Sequence, residues 1–171
     1  MNKNLKDLVK SVKQCDRTAK QIYKKFDELV KDYKDFIIEN QVFFASFSLC
    51  LERKVSKSTR EFQLISRNIG AISSRLNEIK NKFLSLTDYK VNTILSEIAT
   101  TKLGLEQYLF APKVDTLSGS QKKGITTSRK LLVEHQKELT LNRAKSNNYV
   151  LEIGDFASSI NKFNNRYAIT K

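Results

Sequence analysis

The chain has 171 residues, 40% hydrophobic and 29% charged, with one proline and five glycines. That length suits one domain, and so few breakers without short alternating strand runs exclude a β or α/β fold and leave an all-α one. The net charge is +13, with lysine ahead of arginine 23 to 8, which points to an anionic partner and suits a diffuse anionic surface better than the bidentate reading of phosphates or guanine edges that arginine performs. A solvated basic surface without a specific partner is the plainer alternative.

From Leu5 the apolar positions step by three and four: Leu8, Val12, Cys15, Ala19, Ile22, Phe26, Leu29, Tyr33, Phe36, Asn40, Phe43, Phe47 and Cys50. Such a ladder predicts a coiled-coil helix over about 4–53. Asn40, its one polar occupant, reads as a device that sets register. Cys15 and Cys50 on that helix would lie roughly 50 Å apart, too far for a disulfide, so they read as small buried hydrophobes in a reducing compartment. The first fourteen residues interleave Leu5, Leu8, Val9 and Val12 with Lys3, Lys6, Lys10 and Lys13. That pattern suits an interfacial amphipathic helix, but the ladder runs on without a break, which favours plain coiled coil. No apolar signal segment is visible, and Asp7 with no early arginine speaks against a transit peptide. The longest apolar-rich run, Val42 to Leu51, is far short of the ~20 residues that span a bilayer.

In that run Phe44, Leu49 and Leu51 lie outside the ladder, so apolar surface wraps much of the helix. Burial on several sides is the expected consequence. Phe62, Ile65, Phe163 and Tyr167 should arrive at the same end. A homodimer interface of Phe43, Phe44, Phe47, Leu51, Phe62, Phe163 and Tyr167 would cover the patch. A locally thick core within one chain would account for the same residues.

Ser58 or Thr59 is placed to cap a second helix, with Glu61 near the N3 position. Its ladder runs Phe62, Ile65, Ile69, Ile72, Leu76, Ile79, Phe83 and Leu86, shifts phase, and resumes at Val91, Ile94, Ile98, Thr101, Leu105 and Tyr108. The shift predicts a local change of coiling or a bend. This helix is expected over about 59–110, ending before Pro112. Residues 111–126, with Pro112, Gly119 and Gly124, read as a loop, although Val114 and Leu117 hold helical spacing, so helix over part of it is the alternative. A third ladder, Leu132, His135, Leu139, Asn142, Ser146, Tyr149, Ile153, Phe156, Ile160, Phe163 and Tyr167, predicts a helix over about 127–169 whose polar first half is less well buried. Three long helices with two shorter connections make an elongated three-helix antiparallel coiled coil over 1–171.

A basic antiparallel three-helix coiled coil with one aromatic end resembles a BAR domain. Within that superfamily the chain is similar to the Chibby-interacting BAR-domain proteins at Phe26-Asp27-Glu28-Leu29, Phe83-Leu84-Ser85-Leu86-Thr87-Asp88-Tyr89-Lys90 and Ile160-Asn161-Lys162-Phe163. The helix 2–3 region is shorter than the family's, and the chain stops before the family's last helical stretch. The resemblance implies a six-helix dimer core and a cytoplasmic, peripheral module that binds and shapes or senses curved anionic membranes. It also implies roles in cilium assembly at the ciliary base or centriole, in the cytoskeleton, or in mitochondrial membrane organisation, with a coiled-coil partner of the Chibby type. It makes the helix 2–3 connection the membrane-facing tip, with Lys113, Lys122, Lys123, Arg129, Lys130 and Lys137 as the contacts. Across 102–145 nine basic residues face four acidic ones, and each cation near an anionic leaflet contributes about 1 kcal/mol. An ordinary solvated loop is the alternative there.

His135 is the only histidine, without a second ligand nearby, and no phosphate loop, nucleophile elbow or metal spacing appears. The expectation is no enzyme, no cofactor, no metal and no specific nucleic acid, since base-reading motifs are absent. The competing reading is a coiled-coil scaffold or tether that binds protein partners without touching lipid.

Overall fold

A computed structural model describes residues 4–110 and 117–168. Of those, 92% are helical and none is in a strand. The helices are α1 (Leu5–Glu39), α2 (Gln41–Glu52), α3 (Arg60–Ser85), a π-helical segment (Leu86–Val91), α4 (Asn92–Phe110) and α5 (Gly119–Arg166).

Local chemistry accounts for the ends. Asn4 Oδ1 accepts the Asp7 N–H at 2.9 Å, and Thr59 Oγ1 accepts the Phe62 N–H at 3.3 Å, each relieving an orphan donor of a first turn. At α5 the caps are reciprocal. Ser118 Oγ accepts the Gln121 N–H at 3.0 Å, and Gln121 Oε1 accepts the Ser118 N–H at 2.9 Å, a capping box. Its strength explains why α5 starts at Gly119 and not near residue 127, absorbing Gly124 into helix.

Two interruptions depart from the expected continuous helices. Asn40 separates α1 from α2, with φ −112° and ψ 23°. Its side chain donates to the Phe36 carbonyl at 2.9 Å. The amide therefore bonds within its own preceding turn instead of pinning a neighbouring helix, as Asn does when it competes with the backbone. The phase shift of the second ladder is the other. From Leu86 to Val91 the step is five, one residue more than a ladder allows, and the chain absorbs it as a π turn whose bonds run i→i+5. Phe83, Leu86, Val91 and Ile94 are consequently all buried.

Packing divides the chain into two compact units, each assembled from pieces distant in sequence: unit 1 is Met1–Phe26 with Ser85–Lys145, and unit 2 is Asp27–Leu84 with Ser146–Lys171. In unit 1, α4 runs against α5, because Asn92 meets Arg143, Lys102 meets Gln136, and Glu106 meets Arg129. It also runs against α1, with Gly104 close under Leu8 while Lys25 and Tyr89 line one groove. A Cβ at Gly104 would stand 2.7 Å from the buried Leu8 Cδ2, so any larger residue there would force the Leu8 side chain to shift.

In unit 2, Tyr33 meets Tyr149 and Phe47 meets Phe163, whereas Phe62 meets Tyr167 and Phe83 meets Tyr149. The α1–α2 arm is thus parallel to α5, and α3 is antiparallel to it. The buried positions of all three ladders follow the three–four repeat. That holds for the polar half of the third as well: His135, Asn142 and Ser146 are as buried as their apolar neighbours. Position on the helix decided their burial, not hydrophobicity.

Candidate anion-binding face

The charge of the molecule is concentrated in one unit. Among the described residues, unit 1 carries sixteen Lys and Arg against seven Asp and Glu, a surplus of nine. Unit 2 carries twelve against ten, a surplus of two. The same residues read along the chain hide this split, because unit 1 joins two separated stretches.

The anticipated cations sit mostly on the first turns of α5. Lys123, Lys130 and Lys137 are exposed and Lys122 is half-buried. Lys113 lies outside the described residues. Arg129 is partly committed to its own fold: it pairs with Glu106 at 3.4 Å, and its Nε is buried with no hydrogen-bond partner. That guanidinium is less available to an external anion than its lysine neighbours.

A larger basic feature extends the lysine pattern of the first fourteen residues along α1. On α1, Lys6, Lys10, Lys13, Arg17, Lys20 and Lys24 are all exposed. Their spacing of four and three keeps them on one helix face, over about 27 Å at 1.5 Å per residue. Lys20 is tied by an ion pair with Asp16 at 3.1 Å, and Arg17 donates to Gln14 Oε1 at 3.4 Å. The sign was visible in the sequence, because the lysines repeat with the period of the apolar ladder, one register over.

The Leu8–Gly104 and Glu106–Arg129 contacts bring the first turns of α1, the last turns of α4 and the first turns of α5 to one end of unit 1. Among the described residues, that end holds the exposed apolar side chains Val9, Leu103 and Phe110, the last 76% exposed. Lys6, Lys10, Lys123 and Lys130 belong to the same turns. Apolar side chains set among lysines suit the boundary between headgroups and acyl chains. Among the described residues no helix is long and apolar enough to cross a membrane.

His135 is the hub of a buried network joining α1 and α5 within unit 1. The Asp16 carboxylate can only accept, so the ring carries its proton on Nε2 and donates to Asp16 Oδ1 at 2.8 Å. Nδ1 then accepts the Tyr23 hydroxyl at 2.7 Å. This hydrogen bond from His135 is the main reason the Asp16 carboxyl is held below its usual range. Burial pushes the Tyr23 hydroxyl up to about 12. The ring is 7% exposed and both nitrogens are engaged, so the network pins two helices and leaves no ring atom open to a substrate. Among the described residues no three His, Cys, Asp or Glu side chains are grouped to hold a metal ion.

The residues expected at a dimer interface gather in unit 2. Phe43, Phe47, Phe62, Phe163 and Tyr167 are buried within the chain itself, and Phe44 and Leu51 are half-buried. Phe156, on the third ladder, supplies much of the cover, with its ring 5.4 Å from Phe44 and 5.1 Å from Phe47. Among the described residues, the large apolar side chains that unit 2 leaves exposed are Ile38, Val42 and Leu151. No family model matches the chain, and no curated protein or solved structure matches it.

Proposed function

We propose that the chain is a coiled-coil, peripheral membrane-binding module of the BAR type, which lays unit 1 on an anionic leaflet and pairs with a second copy through unit 2. The observation that carries this reading is the uneven charge, a surplus of nine on unit 1 against two on unit 2. Diffuse attraction to an anionic surface needs many cations on one body and no single strong contact. The exposed Val9, Leu103 and Phe110 beside lysines support shallow insertion at the same end. Ile38, Val42 and Leu151, with the half-buried Phe44 and Leu51, are the surface on which a second copy would close a six-helix core. Membrane shaping at a ciliary base or at mitochondria, with a Chibby-type partner, is the cellular role that follows from the family resemblance. The same exposed apolar side chains of unit 2 favour the second reading, a scaffold that captures a protein helix.

Vesicle co-sedimentation tests the proposal. The chain should pellet with vesicles containing phosphatidylserine and not with pure phosphatidylcholine, and added salt should release it. Neutralising Lys6, Lys10, Lys123 and Lys130 together to glutamine should weaken pelleting without changing helix content. A folded chain that ignores anionic vesicles at low salt would sink the membrane reading, and light scattering that shows a monomer at every concentration would remove the dimer.

A further inference from the structure

Between α1 and the π segment with the start of α4 lies a half-open groove of about 520 Å³, the size of a small-molecule site. One end is cationic, formed by Lys25 and Lys90 beside Tyr89. The middle is lined by Thr18, Gln21 and Thr93, and Gln14 and Glu97 stand at the far end. The Thr93 hydroxyl donates to the Tyr89 carbonyl and the Thr18 hydroxyl accepts from the Gln14 amide, which leaves each with a lone pair to offer. Beyond Glu97 the furrow continues into a second depression lined by Ser11, Ser96 and Thr100. A groove built to receive a helix would be apolar along its length. This one sets hydroxyl, amide and carboxylate groups around Ile22 and Ile94, with its cations at one end only.

The π segment shapes the cationic end. Its extra residue bulges outward, leaving Tyr89 75% exposed, and π turns of this kind gather at functional sites. The segment also carries a local cost: Thr87 Oγ1 is buried with no hydrogen-bond partner, a condition proteins rarely keep without a return.

We infer that this groove binds a phosphorylated polyol, with the phosphate between Lys25 and Lys90 and the hydroxyls along Thr18, Gln21, Thr93 and Glu97. Lysine ammonium groups form charge-assisted bonds to phosphate oxygens. Neutral hydroxyls, unlike further phosphates, are welcome beside a carboxylate, so Glu97 selects a ligand charged at one end. Tyr89 offers a ring face to the carbon skeleton of the polyol. The ligand chemistry is shared by a soluble sugar or inositol monophosphate and by an inositol lipid headgroup. The site needs no membrane to operate, so it stands or falls apart from the proposal above.

The test uses the full chain and a Lys25→Gln/Lys90→Gln variant, both positions being exposed, with circular dichroism to verify the fold. Calorimetry with inositol 1-phosphate measures the soluble source. Co-sedimentation with phosphatidylinositol vesicles against phosphatidylserine vesicles of equal charge measures the lipid source. Two lost charge-assisted contacts should weaken binding by about tenfold or more. One-to-one binding of inositol 1-phosphate that the variant loses supports the site with a soluble ligand. A preference for phosphatidylinositol that the variant loses supports it with a lipid ligand. Absence of both, or binding that the variant keeps, overturns it.

Discussion

Replacing Tyr167 by phenylalanine removes a buried hydroxyl of unit 2. That hydroxyl donates to the Cys50 carbonyl at 2.9 Å and accepts the Val55 N–H at 3.1 Å. The Cys50 carbonyl belongs to the last turn of α2, where carbonyls have no partner within the helix. The Val55 N–H lies in the connection to α3. Tyr167 therefore ties the end of α2 and the following connection to the end of α5, while its ring packs on Phe62 and Phe163. Phenylalanine keeps the ring and strands both groups. An orphaned buried polar group costs about 1–3 kcal/mol. Val55 is half-buried and can find water, whereas Cys50 is fully buried, so the sum should be about 2 kcal/mol. For a chain of this size that is a fall in Tm of about 4–8 °C. Near-ultraviolet circular dichroism, which reports on packed aromatic rings, is the right probe, with urea melts alongside. The exposed Tyr89→Phe serves as a control and should stay within about 0.5 kcal/mol. If Tyr167→Phe also stays within about 0.5 kcal/mol of the parent, then ring packing alone closes this end and the hydroxyl argument fails.

Asp16 has a folded-state pKa below its ordinary 3.8, so its stabilising contribution is complete above that value and fades as pH falls through the depressed one. Urea midpoints taken from neutral into strong acid should therefore show a gap between the parent and Asp16→Asn that is constant at first and narrows only below the ordinary value; a gap that widens there would contradict the assignment. Burial pushes Tyr33, whose hydroxyl donates to Glu152 at 3.1 Å, up to about 12, as it does Tyr23. Their stabilisation is present below the free tyrosine value and lost as pH rises from about 10 toward 12. Alkaline difference absorbance should show Tyr23 and Tyr33 ionising late, and Tyr23→Phe should remove one of those late steps. Thr87→Val, which deletes the unpartnered buried hydroxyl and keeps the shape, should leave stability unchanged or raise it by about 0.5–1 kcal/mol; a loss of more than about 1 kcal/mol in urea unfolding would mean that the hydroxyl has a partner in solution.

Much of the fold was legible because its causes are local. Helical period is a property of neighbours along the chain, so the ladders through Leu8–Cys50, Phe62–Leu86 and Leu132–Tyr167 announce their buried faces before any packing is known. Thr59 as a cap follows from the same locality. The Ser118-x-x-Gln121 box was equally readable, and its neglect moved the expected start of α5 by eight residues, from 119 to 127. The five-residue step from Leu86 to Val91 was visible as a fault, but a bend, a loop or a π turn satisfies it equally in sequence. The choice depends on keeping Phe83 and Val91 both buried, and the groove at Tyr89 follows from that choice.

Other features belong to the tertiary structure alone. His135 finds Asp16 and Tyr23 across 119 and 112 residues, and no spacing along the chain encodes such a meeting. Aromatic density around Phe43–Phe47 announced burial, yet only the approach of Phe156 and Phe163 decided that much of the cover comes from the same chain. The charge surplus of the whole chain was plain from composition. Its gathering on one unit was not, because that unit joins residues from opposite parts of the sequence, and charge acts through distance in space.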